Sequence, residues 1–261
     1  MSVLNISIVQ ADLFWEDKQQ NMANIERAML QIPKGTMIVI LPEMFTTGFS
    51  MNPKSFAESM DGHTMQWLKN LSEQYRKIIC GSIIIEENGK YYNRLIWMMP
   101  DGRHYYYDKR HLFAYAGEDE HYEAGSKRLI TQVNNWKINL NVCYDLRFPV
   151  WSRQHPDPEQ RYDLLIYVAN WPEKRIYGWK QLLIARAIEN QCYVIGCNRV
   201  GTDGNGIYHN GNSMLIDPMG AIIWESTDKE AIYNVTLDLK NVQKIRDRFH
   251  FLDDGDQYLV L

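Results

Sequence analysis

With 261 residues and 45% apolar side chains, the chain can build one large α/β domain whose core needs neither disulfides nor a structural metal. Its formal net charge is -4 and its basic residues form no single tract, which argues against nucleic acid as the main partner. No apolar run approaches bilayer-spanning length, and no basic start leads into an apolar stretch as in a secretory signal, so the expected compartment is the cytoplasm.

Strand and helix signals alternate along residues 1–261, with no repeat and no linker rich in Gly, Ser or Pro, so one domain is expected. Leu4 to Gln10 reads as a strand and Asn21 to Gln31 as an amphipathic helix. Met37 to Leu41 is a short apolar strand, Thr64 to Tyr75 a helix and Ile78 to Ile85 a strand. Asn88-Gly89 predicts a hairpin turn into Tyr91 to Met98, and Pro100-Asp101-Gly102 a turn into a strand from His104 to Tyr107. Strands follow at Trp136 to Val142 and Leu164 to Val168, then a helix from Trp179 to Asn190. The last strands are Tyr193 to Asn198, Asn212 to Ile216, Ala221 to Trp224 and Ile232 to Leu237, with a turn at Asp217-Pro218-Met219-Gly220. The glycine-rich stretch Gly201 to Gly206 lies between strands, which predicts a flexible loop rather than a phosphate cradle. This mixture of βα units and hairpins predicts a mixed sheet, or two packed sheets, with helices outside.

The cysteines Cys80, Cys143, Cys192 and Cys197 show neither a Cys-x-x-Cys pair nor zinc spacing, and are expected as free thiols. The histidines, His63, His104, His111, His121, His155, His209 and His250, form no i, i+4 pair with Glu of the zinc-peptidase kind. Neither a metal nor a cofactor is called for.

Reactive groups in open α/β sheets gather beyond the carboxyl ends of strands. Glu43, Lys109, Cys143 and the pair Asn170-Trp171 each follow a predicted strand there. Each also has an ordinary reading: Glu43 as a loop carboxylate, Lys109 as part of a solvated charge run with Asp108, Arg110 and His111, Cys143 as core. Spacing alone leaves both readings open. The trio nevertheless suits thiol chemistry. A free cysteine ionises near ~8.5; a nearby ammonium favours its thiolate, and a carboxylate can take its proton. A fixed lysine and a backbone N–H can hold the oxyanion formed when an amide is attacked.

Leu41-Pro42-Glu43-Met44-Phe45, Tyr107-Asp108-Lys109-Arg110-His111-Leu112-Phe113 and Val142-Cys143-Tyr144-Asp145-Leu146-Arg147-Phe148-Pro149 resemble the signature blocks of the nitrilase superfamily of carbon–nitrogen hydrolases. Ala169-Asn170-Trp171-Pro172, Cys197-Asn198-Arg199-Val200-Gly201 and Ile216-Asp217-Pro218-Met219-Gly220 extend the match in the same order. The resemblance implies a four-layer αββα sandwich that pairs into a homodimer through a helical face. It also implies Glu43 as general base, Lys109 as oxyanion stabiliser, Cys143 as nucleophile and the backbone N–H of Tyr144 as second oxyanion donor. A further glutamate that positions the lysine maps to Glu118, with Glu120 and Glu123 close by.

Met44 to Phe49, Phe148 to Arg153 and Gly201 to Gly206 look most like the bacterial omega-amidase branch, whose members take the side-chain amide of 2-oxoglutaramate to 2-oxoglutarate and ammonia. An omega-amide of a 2-oxo acid, 2-oxoglutaramate or 2-oxosuccinamate, is the small-molecule substrate this implies. Its distal carboxylate would suit an arginine fork. Arg147 and Arg175 are the candidates, with Trp171 beside them; Arg175 is preferred for its loop position, while Arg147 has the alternative of pairing with Asp145 or bracing a dimer. Competing readings are an N-carbamoyl amino-acid hydrolase, a nitrilase proper, a Cys–His–Asn hydrolase using His111, and a silent partner protein of the same fold.

Overall fold

The computed structural model describes residues 2–256 and Tyr258; of the expected domain span 1–261, Met1, Gln257 and residues 259–261 lie outside the described part. In chain order the strands are β1 (Val3–Gln10), β2 (Ile38–Ile40), β3 (Ile78–Glu87), β4 (Lys90–Met98), β5 (His104–Asp108), β6 (Leu129–Val133) and β7 (Trp136–Val142). There follow β8 (Leu164–Val168), β9 (Tyr193–Cys197), β10 (Val200–Thr202), β11 (Tyr208–Ile216), β12 (Ile222–Thr227) and β13 (Ala231–Asp238). One sheet runs β13-β1-β2-β3-β4-β5; the other runs β10-β11-β9-β8-β7-β6, with β12 on β11. In each sheet the central strands are parallel (β1, β2, β3; β7, β8, β9) and the flanks antiparallel.

Alternation along the strands explains the stacking. Leu4, Ile6 and Ile8 of β1, Cys80 of β3 and Trp97 of β4 join Ile138, Leu140 and Val142 of β7 in one core between the sheets. Val9, Val39, Ile79 and Ile96, on the opposite face of the first sheet, pack under the helices Lys18–Met29 and His63–Tyr75. Those helices present Met22, Ile25, Met29 and Met65, Leu68, Leu71 at helical spacing. Trp179, Leu183 and Ala187 of helix Ile176–Asn190, with Leu239 and Val242 of helix Leu239–Arg248, cover the second sheet. The result is the four-layer αββα sandwich. Each fully buried Leu or Ile contributes about 1.5–3 kcal/mol, so the intersheet core dominates the stability.

The hairpin at Asn88-Gly89 has both residues at positive φ, 55° and 76°, the primed-turn geometry expected there. Besides short helical turns such as Pro53–Phe56, Glu118–His121 and Pro149–Ser152, three elements escaped the sequence reading. β6 is an edge strand with only Thr131 and Val133 buried, and helix Leu239–Arg248 buries only Leu239 and Val242, so their apolar patterns are thin. β10 runs into the stretch expected to be a flexible loop. That expectation is corrected: Val200–Thr202 pairs with Tyr208–Asn210, and the Asp203 carboxylate accepts from the N–H groups of Asn205 and Ile207, both at 2.9 Å. The glycines here close a hairpin.

Candidate active site

Four strand ends deliver the predicted residues to one place. Glu43 stands just beyond β2 in a turn fixed at Met44, whose N–H donates to Ser82 Oγ (2.8 Å). Asn170, just beyond β8, clamps Glu43 twice: its backbone N–H donates to Glu43 Oε2 (2.8 Å) and its Nδ2 to the Glu43 carbonyl (2.5 Å). Lys109 follows β5, and its N–H donates to the Asn93 carbonyl on β4 (3.0 Å). Cys143 follows β7 at φ +43°, the left-handed region that a non-glycine residue occupies at a cost of about 1–3 kcal/mol. It opens the 3-10 turn Cys143–Arg147, and Asp145 holds that turn by accepting from Val142 N–H (2.9 Å). Tyr144 lies in the first turn, where N–H groups have no acceptor within the turn.

Glu43, Lys109 and Glu118 are completely buried. Lys109 Nζ donates to Glu43 Oε1 (2.9 Å) and to both oxygens of Glu118 (2.9 and 2.8 Å). Asn93 Nδ2 bridges the two carboxylates, at 2.8 Å from Glu43 and 3.1 Å from Glu118, and Phe113 N–H donates to Glu118 Oε2 (2.6 Å). Glu120 and Glu123 are exposed, and Glu123 meets only Lys90 at the surface; of the three glutamates, Glu118 is the one brought onto the lysine.

The charges follow from this packing. Burial alone would lower the Lys109 ammonium, but Glu118 first and then Glu43 and Cys143 hold it well above its ordinary value. Burial raises Glu118 despite the neighbouring lysine, with Glu43 adding repulsion. Burial also raises the Cys143 thiol, helped by the charge of Glu43; Lys109 opposes them without prevailing. The ammonium does favour the thiolate, as expected, but burial first and then Glu43 outweigh it, so the resting sulfur is held toward the thiol beside a carboxylate.

The charge run from Asp108 to His111 is no solvated face. Asp108 takes a forked pair of hydrogen bonds from Arg94 (2.6 and 2.9 Å), and Arg110 donates to the Gly125 carbonyl (3.1 Å). His111 Nδ1 sits 2.8 Å from Asp145 and its ring stacks on Phe148 at 3.8 Å. Asp145 also accepts from Tyr107 Oη (2.8 Å). His111 thus serves the turn that presents Cys143, a supporting place rather than that of a base on sulfur.

A cavity of about 220 Å³ has Cys143 and Tyr144 in its wall. Phe49, Phe113, Tyr115 and Trp171 give it apolar sides, and Arg147 and Arg175 bring two cations. Arg147 lies over the Trp171 ring (4.9 Å) and Arg175 over Phe113 (4.9 Å). Among the described residues neither guanidinium has a carboxylate partner; Asp145, the partner considered for Arg147, is engaged by Tyr107, Val142 and His111. Burial lowers Arg175, and the like charge of Arg147 lowers it further. Trp171 is anchored through its backbone N–H to Asn198 Oδ1 (2.7 Å) and through its indole N–H to the Arg175 carbonyl (2.8 Å).

Sequence reasoning did not single out Asn93 or the wall residues Asp203, Ile207 and His209, and it weighed Asp145 only as a partner for Arg147. Asn170 was placed at its strand end without its hold on Glu43 being foreseen. A mid-strand asparagine such as Asn93 carries no local signal, whereas Asp145, two residues past the cysteine, had position in its favour.

A fold of this kind with a buried Glu–Lys–Glu array against a cysteine defines a thiol hydrolase of carbon–nitrogen bonds. The chain belongs to the carbon-nitrogen hydrolase family, whose model matches residues 5–247. It is 43% identical to omega-amidase YafV of Yersinia enterocolitica over 100% of both chains. It is 32% identical to the 2-oxoglutaramate amidase of Bacillus subtilis, covering 95% of this chain and 96% of that one. Among solved structures, XC1258 of Xanthomonas campestris, a CN-hydrolase superfamily protein with an arsenic adduct in its active site, superposes with a TM-score of 0.97 at 40% identity over 100% of each chain.

Proposed function

We propose that this chain hydrolyses the omega-amide of a small 2-oxo acid, 2-oxoglutaramate or 2-oxosuccinamate, to the dicarboxylate and ammonia through a Cys143 thioester. The observation that carries the reading is the sealed Glu43–Lys109–Glu118 array behind Cys143, at the wall of a cavity holding two arginines without carboxylate partners. The omega-amidase and 2-oxoglutaramate amidase relatives support the same substrate class.

In this mechanism Glu43 takes the thiol proton as sulfur attacks the amide carbon. The oxyanion forms between Lys109 Nζ and the backbone N–H of Tyr144. Glu43 returns the proton to nitrogen and ammonia leaves; Glu43 then takes a proton from the water that attacks the thioester and gives it to the Cys143 sulfur as the carbon–sulfur bond breaks. Glu118 fixes Lys109 throughout. Arg175, or Arg147 across the cavity, takes the distal carboxylate, with Trp171 forming the wall between them.

A substrate panel tests this. Ammonia release from 2-oxoglutaramate or 2-oxosuccinamate should far exceed release from glutamine, asparagine or a neutral aliphatic amide. Rapid turnover of N-carbamoyl amino acids or nitriles, with none of the oxo-acid amides, would overturn the substrate and leave the thiol mechanism; no turnover of any small amide would favour a silent protein.

The whole chain is proposed to act as one domain and as a homodimer. The exposed Tyr177 and Ile188 on helix Ile176–Asn190, with Val150 and Met219, support a helical face for pairing; sedimentation of a fully active monomer would count against it. Among the described residues no helix is long and apolar enough to cross a membrane. The four free, buried cysteines suit the reducing cytoplasm proposed as its compartment.

A further inference from the structure

His209 is 3% exposed, yet it stands in the wall of the Cys143 cavity. Its backbone is fixed by the hairpin: His209 lies opposite Gly201 in the β10–β11 ladder, and the Asp203 carboxylate ties the connecting turn. Its Nδ1 is fully buried and has no hydrogen-bond partner among the described residues. Buried polar atoms of native proteins are nearly always paired, so an orphan beside a reaction cavity calls for a ligand. Burial first, and then the positive charge of Arg199, push the imidazole down to about 4, against the opposing pull of Asp203 and of the Ile207 and Gly201 backbone, which leaves it neutral at pH 7.

The chemistry of the cavity divides the substrate between these groups. A carboxylate suits the two cationic forks of Arg147 and Arg175. An uncharged acceptor next to it needs a neutral donor, and a neutral imidazole supplies one N–H. We propose that His209 is a specificity-determining residue that donates a ring N–H to the 2-oxo oxygen of the substrate, selecting 2-oxo acid amides over their deoxy counterparts. This rests on the substrate reading given above and adds to it a residue for the oxo group.

The test compares ammonia release from 2-oxoglutaramate and from glutaramate, which lacks only the oxo oxygen. In the wild-type chain kcat/KM should favour the oxo acid. His209→Leu should lower that preference by about tenfold, mainly through KM, in line with the loss of one neutral hydrogen bond. His209→Gln, which keeps an N–H donor, should recover most of it. Equal losses on both substrates, or a preference unchanged in His209→Leu, would overturn the proposal while the wild-type preference still upheld the substrate reading. Wild-type rates that do not distinguish the two amides would overturn the role of His209 and weaken that reading together, and this outcome is visible before any variant is made.

Discussion

Replacing Glu118 by Gln removes one negative charge from a cluster sealed off from water. Lys109 Nζ lies 2.8 and 2.9 Å from the two Glu118 oxygens and 2.9 Å from Glu43. At an effective dielectric constant near 20, one such contact amounts to about 6 kcal/mol of gross attraction. Desolvation offsets much of it, and breaking a buried pair typically costs about 3–5 kcal/mol. Lys109 keeps Glu43, so the stability loss should fall at or below the bottom of that range. Activity should fall further, because the lysine is no longer aimed: loss of one oxyanion donor costs about 10²–10³ in kcat. A second readout separates aiming from general damage. The Glu118 charge is among the causes that raise the Cys143 thiol, so the pH profile of Cys143 alkylation should move to lower pH in Glu118→Gln. Steady-state ammonia release, urea unfolding and iodoacetamide kinetics against pH give the three numbers. A fully active Glu118→Gln with an unmoved alkylation profile would refute the reasoning, most plainly if Glu120→Gln were inactive instead.

Cys143→Ala should abolish turnover in a folded protein, and Cys143→Ser should be nearly as inactive because a hydroxyl is far harder to ionise. Iodoacetamide should label Cys143 before the wholly buried Cys80, Cys192 and Cys197; equal labelling by mass spectrometry would contradict a reachable nucleophile. Arg175→Ala should raise KM for 2-oxoglutaramate far more than for a neutral amide, since the contact is remote from the reacting carbon; a loss confined to Arg147→Ala would move the carboxylate site to that residue. Glu58 is desolvated, yet Lys18 and the N–H and hydroxyl of Thr64 hold its carboxyl below the ordinary 4.5. Its contribution is present above 4.5 and is lost as pH falls through the lower folded value, so the stability gap between wild type and Glu58→Gln, about 1–2 kcal/mol at pH 7, should close below pH 4.5 in urea titrations and would stay open if the ion pair were irrelevant.

The layers were legible because alternation and helical spacing record burial directly: Ile138, Leu140 and Val142 do face one core, and Leu68 and Leu71 do face the sheet. The strand-end rule brought Glu43, Lys109, Cys143 and Asn170 together because β2, β7 and β8 are parallel strands of their sheets and β5, two antiparallel steps from β3, runs in the same direction as β2. What it cannot record is cross-chain hydrogen bonding. Asn93 sits in mid-strand, where an asparagine looks like a residue turned to solvent, and only the register of β4 beside β5 reveals that it joins two buried carboxylates. His209 was hidden for a related reason: the glycines before it suggested mobility, whereas the Asp203 carboxylate makes the turn a fixed one. The state of the thiol was missed because burial, which raises it most, and the count of charges packed around it leave no mark in sequence, although Lys109 does lower it in the expected direction.

That count bears on how the proposed cycle runs in a dry site. The cluster sets the carboxyl groups of Glu43 and Glu118 and the Cys143 thiol around the single Lys109 ammonium, so its total charge is fixed before an amide arrives. Passing the thiol proton to Glu43 during attack leaves the total unchanged and moves the charge from carboxylate to sulfur and then to the substrate oxygen. Return of the proton to the leaving nitrogen restores the carboxylate as the oxyanion collapses. No step creates a new ion in a buried place, where an uncompensated charge would cost several kcal/mol, and Lys109 remains the fixed positive neighbour of each successive site of negative charge. A resting thiolate would add a further negative charge to the same volume. The raised thiol is thus what this arrangement requires: the nucleophile is generated only when an amide is present to receive the charge.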